Sequence, residues 1–116
     1  MSKVTLYYNP RCSKSRQTLE LLQARGIEPH IVEYLESPPD AAQLDELLKL
    51  LQLQPRDLIR NEEAEYAELG LDDPALTCEQ LIQAMVGHPR LIQRPIVVHG
   101  DRAALGRPPE RILEIL

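Results

Sequence analysis

Cys12 is the residue on which chemistry could turn. It sits in the run Asn9-Pro10-Arg11-Cys12-Ser13-Lys14-Ser15-Arg16. A β-branched and aromatic stretch, Val4 to Tyr8, precedes it, and a helical pattern follows it. A thiol at that junction meets the unpaired N–H groups and positive dipole end of a helix, both of which favour thiolate. Arg11, Lys14 and Arg16 add positive charge, and Ser13 and Ser15 add hydroxyl donors. The same geometry binds an external oxyanion. The bland alternative is a small buried residue in a turn, a common fate of cysteine.

Neighbouring motifs can be set aside. Cys12-Ser13-Lys14-Ser15 is C-x-x-S, so the loop lacks the second thiol of a dithiol cycle. A C-x5-R phosphatase loop would need Arg at position 18, which is Thr18. Cys12, Cys78, His30, His88 and His99 show no zinc-ligand spacing, and no metal site is expected. What remains is one reactive thiol in oxyanion-binding surroundings. Cys78, just after the Thr77 cap, reads as an ordinary helix position, the three His as structural or exposed, and Glu62, Glu63, Glu65 and Glu68 as a solvated helix face.

The elements that must position the thiol follow from local pattern. Val4–Tyr8 suits a strand, and Asn9-Pro10 breaks it. Thr18, Leu21, Leu22 and Arg25 share a helical stripe, with Gly26 as the stop. His30–Leu35 reads as a second strand, parallel to the first with a right-handed crossover. Asp40 with Gln43 resembles a capping box ahead of Leu44, Leu47, Leu48 and Leu51. Pro55 opens a short helix through Arg60, and Glu62–Leu69 is expected to be helical. Thr77 and Gln80 form a second capping box, flanked by a Leu76/Leu81 staple. Pro95–His99, Gly100-Asp101 and Arg102–Leu105 read as a hairpin, and Glu110–Leu116 as a final helix. The order βαβ, helical block, ββα is that of an α/β, thioredoxin-like fold. It predicts a mixed four-stranded sheet in a single domain, 1–116, with a helical insertion between strands 2 and 3 at about 40–92.

These residues resemble a known family. Tyr8 to Arg16 is similar to the N-P-x-C-x-x-S-R loop of the ArsC-type, glutaredoxin-coupled arsenate reductases. Arg94-Pro95-Ile96-Val97 resembles that family's R-P-I-V segment, and Gly106-Arg107-Pro108 its G-R-P turn. The resemblance spans essentially the whole chain. It implies that Cys12 is the nucleophile and that Arg60, Arg94 and Arg107 bind the oxyanion. It further implies that Pro95 is a cis-proline ahead of the third strand, with Tyr8, Asn9, Ser15 and Arg16 in support. The reaction implied is thiolate attack on arsenate, entry of glutathione as co-substrate, release of arsenite, and clearance of the mixed disulfide by glutaredoxin. No tightly bound cofactor is implied. Tyr8 stands where some members carry His, and a phenol is not cationic at neutral pH. The chain ends at Leu116, short of the extension of longer members, as in a short-chain branch.

Physics agrees with that assignment. A thiolate and a dianion repel, and fixed guanidinium groups offset the repulsion because their planar fork matches oxyanion oxygens. Each charge-assisted bond contributes about 1.5–3 kcal/mol. A binding module remains the rival: Spx-type regulators of RNA polymerase share the fold but carry C-x-x-C, where this chain has Ser15. A third reading is the same chemistry on another oxyanion or on a mixed disulfide.

Composition bounds the rest. The 116 residues carry a formal charge of −5, a poor match to nucleic acid. No apolar run approaches a membrane span, and no signal peptide is read at the N-terminus. With two cysteines, a reduced, cytoplasmic monomer is expected. Arg outnumbers Lys by 10 to 3, and with four Tyr, no Phe and no Trp the core must be aliphatic.

Overall fold

A computed structural model describes residues 3–116. The chain divides into two compact units, Met1–Ser37 with Arg94–Leu116, and Pro38–Gln93.

The first unit is built on a four-stranded sheet. Its strands are β1 (Val4–Tyr8), β2 (His30–Glu33), β3 (Ile96–His99) and β4 (Arg102–Leu105), in the order β2-β1-β3-β4. β1 pairs parallel with β2, placing Thr5 opposite His30, and antiparallel with β3, placing Val4 opposite His99. β3 and β4 form the expected hairpin, closed by the His99–Arg102 pair. Because side chains alternate along a strand, Val4, Leu6 and Tyr8 share one face. Helix α1 (Ser13–Ala24) delivers Leu22 to that face. Val97, Ile112 and Ile115 complete an aliphatic cluster against which Tyr8 packs. Gly26, at φ 74°, ends α1 in the left-handed region.

Three readings in this unit differ from the structure, the first being β3, which begins at Ile96 rather than Pro95. β2 stops at Glu33 rather than Leu35, because the N–H groups of Glu36 and Ser37 both turn back to the Glu33 carbonyl. The C-terminal segment Pro109–Ile115 is a 3-10 helix, not an α-helix. Its buried residues, Pro109, Ile112 and Ile115, recur every third position, the period that a 3-10 helix presents on one side.

The second unit, taken by itself, is helical. α2 (Ala41–Leu51) begins at the Asp40/Gln43 capping box, with bonds of 2.8 and 2.9 Å. It buries Leu44, Leu47 and Leu48. Pro55 opens α3 (Pro55–Leu58), and α4 (Ala64–Glu68) follows. α5 (Cys78–Gly87) starts at the Thr77/Gln80 box and packs Leu81, Ile82 and Met85 inward. Arg56 clamps the following loop by donating to the carbonyls of Leu71 and Asp73 and to the Tyr66 hydroxyl. The helix expected to reach Arg60 ends at Leu58. Ile59 turns extended and bridges Ile92, and the Arg60 N–H donates to Leu91 O. Among the described residues, no helix is long and apolar enough to cross a membrane.

Candidate active site

The turn between β1 and α1 holds Cys12 at the N-cap of α1, in extended conformation at φ −99° and ψ 122°. Asn9 shapes this turn. Its carbonyl accepts the Cys12 N–H at 3.0 Å and its side-chain oxygen accepts the Arg11 N–H at 2.9 Å. Its own N–H points to the Ser15 hydroxyl at 3.4 Å. Asn9 and Ser15 are both buried, which is why polar side chains are tolerated there only as bonded groups. Cys12 is itself 8% exposed and carries a free thiol.

Burial pushes the Cys12 thiol up. The Ser15 N–H, the Ser15 hydroxyl, the Lys14 N–H and the Arg107 charge all pull it down, and the net direction is below the ordinary cysteine value. The donors are those left unpaired at a helix start, so the turn and helix act together. Ser15 thus supports the thiol by two bonds. Tyr8 is half-buried and spends its ring on the apolar cluster. Arg16 is exposed, and its N–H continues α1 from the Cys12 carbonyl at 3.1 Å.

Arg107 reaches this turn from the loop after β4. Its Nε donates to the Arg94 carbonyl at 2.7 Å, and the Gly106 N–H donates to the Pro95 carbonyl at 2.9 Å. The Arg94–Pro95 bond is cis, and so is Arg107–Pro108, which the sequence reading did not anticipate. Gly106 permits this close approach. A Cβ there would lie 2.6 Å from Thr18 Oγ1 and 2.7 Å from Pro95 Cγ. Arg94 Nε is buried and has no hydrogen-bond acceptor among the described residues. The first unit therefore gathers Cys12, Asn9, Ser15, Arg94, Pro95 and Arg107.

Arg60 belongs to the second unit, where two carboxylates meet it. Glu62 Oε1 lies 3.0 Å from Nη2, and Glu63 Oε1 lies 3.4 Å from Nη1. Glu63 also pairs with Arg90 at 3.2 Å, and Glu65 lies 3.9 Å from the same arginine. These pairs correct the picture of a solvated face for Glu63 and Glu65, while Glu62 and Glu68 are exposed as expected. The Arg60–Glu63 spacing of three was a visible signal for the pairing. The remaining candidates are quieter. Cys78 is exposed at the start of α5, its Sγ 3.8 Å from Gln54 Oε1. His99 Nδ1 lies 2.7 Å from the Ile115 carbonyl, and His30 and His88 are exposed. Among the described residues, no group of three or more His, Cys, Asp or Glu is arranged to hold a metal ion.

Fold and site together define a thioredoxin-like domain with an activated thiol at a helix start. Residues 7–115 match the ArsC family, and the chain belongs to that family. It is 55% identical over 115 residues to the uncharacterized protein YfgD of Escherichia coli K12, covering 98% of this chain and 97% of that one. It is 44% identical over 117 residues to an arsenate reductase of Neisseria meningitidis serogroup B, covering 100% of both chains. The solved structure of an arsenate reductase from Vibrio cholerae superposes with a TM-score of 0.97 at 47% identity. That match covers 99% of this chain and 98% of that one.

Proposed function

We propose that this protein reduces arsenate to arsenite, with Cys12 as the nucleophile. The observation that carries the reading is the Cys12 thiol, lowered by Ser15, Lys14 and Arg107 against the cost of its burial. Relatives that carry the name arsenate reductase along the full chain support the substrate. The Cys12 thiolate attacks arsenic, a sulfur–arsenic bond forms, and one arsenate oxygen leaves as water. Arsenic is still pentavalent at this point. A second thiol, from glutathione, then attacks sulfur. The sulfur–arsenic bond breaks, its electron pair stays on arsenic as arsenite, and a disulfide forms. Glutaredoxin returns Cys12 to the thiol in a reducing cytoplasm, and the protein acts as a monomer.

Three arginines carry the charge. Arg107 lies close enough to the thiol to lower it. Arg94 has a buried Nε without an acceptor, and Arg60 a buried Nη1 without a hydrogen bond. A buried donor without an acceptor is costly, and an oxyanion oxygen would satisfy Arg94 Nε. The test is arsenite formation with glutathione and glutaredoxin. The wild type is expected to turn over and Cys12→Ser to show no activity above background. An inactive wild type, or an equally active mutant, refutes the reading.

A further inference from the structure

The turn that holds Cys12 is flanked by positive charge that the thiol does not use. Arg11 precedes it, and Lys14 sits in the first turn of α1, its N–H donating to the thiol. Arg16 lies one turn on, its N–H bonded to the Cys12 carbonyl at 3.1 Å. Arg107 is the charge that lowers the thiol, and the charges of these three residues are not among the causes. Arg11 and Arg16 are exposed, and Lys14 is half-buried. Among the described residues, none of the three side chains meets a carboxylate. The first turn of α1 holds no acid, and residues 1–19 hold none either, although the chain carries −5 overall. Cations at a helix start stand against its dipole, in a place where acids are favoured. The three charges therefore make a local field of one sign that faces water, repels itself and is relieved when an anion approaches.

We propose that Arg11, Lys14 and Arg16 form a cationic collar that selects an anionic thiol, of the charge type of glutathione, as the partner that reacts at Cys12. In that step the incoming sulfur bonds to Cys12 Sγ and the sulfur–arsenic bond breaks. Its electron pair stays on arsenic, arsenite leaves, and the proton of the incoming thiol goes to water. A neutral thiol of equal reactivity gains nothing from the collar, so charge makes the choice. The place of this step after arsenate attack rests on the proposed function.

The experiment follows Cys12 in the Cys78→Ser protein as it exchanges with glutathione disulfide, an anion, with hydroxyethyl disulfide, which is neutral, and with cystamine, a cation. In each case the Cys12 thiolate attacks a disulfide sulfur, a mixed disulfide forms and a thiolate leaves. Rates are compared among this background, the Arg11→Gln/Lys14→Gln/Arg16→Gln triple variant, Arg16→Gln, and Arg25→Gln, which removes a charge from the other end of α1. The triple variant is expected to slow glutathione disulfide about two- to five-fold relative to the neutral reagent, the scale of exposed charges acting through salt water. It should speed cystamine, and the preference should fade at high salt. The pH midpoint of iodoacetamide alkylation should stay in place, because Arg107 and hydrogen bonds set it. Arg16→Gln should show part of the effect, and Arg25→Gln should match its background. An unchanged rate ratio in the triple variant, equal slowing of all three reagents, a shifted midpoint, or an Arg25→Gln effect as large as that of Arg16→Gln refutes the collar. Arsenate turnover is read separately in the same background. Turnover without a charge preference refutes the collar and leaves the function standing. A charge preference without turnover refutes the function and leaves the collar standing.

Discussion

Replacing Gly106 with alanine should cost both stability and thiol reactivity, and the structure gives the size. The added Cβ would sit 2.6 Å from Thr18 Oγ1 and 2.7 Å from Pro95 Cγ. Thr18 and Pro95 are fully buried, and neither can step aside. Thr18 lies in a close-packed interior that leaves it little room to turn, and the proline ring is fixed by its own covalent geometry. The loop must move instead. Overpacking of this kind costs about 1–3 kcal/mol. Losing the 2.9 Å bond from the Gly106 N–H to Pro95 O adds about 1 kcal/mol. Urea unfolding followed by circular dichroism should therefore show a loss of about 2–4 kcal/mol. The same shift would carry Arg107 away from Cys12, so the pH midpoint of iodoacetamide alkylation should rise. Gly87→Ala is the control, because a Cβ there meets nothing within 4 Å. It should be neutral or stabilise by about 0.4–1 kcal/mol. A Gly106→Ala protein with wild-type stability and an unshifted alkylation profile would refute the close-packing argument.

Ser15→Ala removes one of the two Ser15 groups that stabilise the thiolate, so the alkylation midpoint should move to higher pH than in wild type. Since the folded-state value of Cys12 is depressed, its contribution to stability is present above the unfolded value of about 8.5 and is lost as pH falls through the folded value. Wild type should accordingly gain stability over Cys12→Ser as pH rises through that window; parallel unfolding curves from pH 5 to 9 would count against a lowered thiol. Thr77→Ala breaks the capping box of α5, whose Thr77 Oγ1 accepts the Gln80 N–H at 3.1 Å. A loss of about 1 kcal/mol is expected in urea unfolding, and an unchanged midpoint would show that the cap is idle.

Local chemistry made much of this molecule legible. Both capping boxes, the hairpin turn at Gly100-Asp101 and the β1–α1 junction are written in contiguous residues, and the structure has them where the pattern puts them. Some of the misreadings involve partners distant in sequence. Nothing in Pro55–Arg60 announces that Ile59 will bridge Ile92, so the local pattern extends the helix past its end at Leu58. The period-three burial of Pro109, Ile112 and Ile115 was present in the sequence but resembles an α-helical stripe over seven residues. At the site, the helix-start thiol was readable from spacing. The seating of Gly106 on Thr18 and Pro95 was not, because it joins three separated segments. The acidic run misled for the same reason: part of its company, Arg90, lies on a later turn.

The division of the chain also orders events during synthesis. β1 is an inner strand whose antiparallel neighbour is β3, so Leu6 waits for Val97. Residues 38–93 are made in between, and their helices rest on nearer neighbours, the kind of contact that forms fast. At about 5–20 residues per second the ribosome takes several seconds to supply β3. During that interval β1 carries an open edge and an apolar face while the helical segment is still being made. Translation speed across residues 38–93, and whatever holds β1 meanwhile, should therefore weigh more on the yield of folded protein than the stability of the finished sheet.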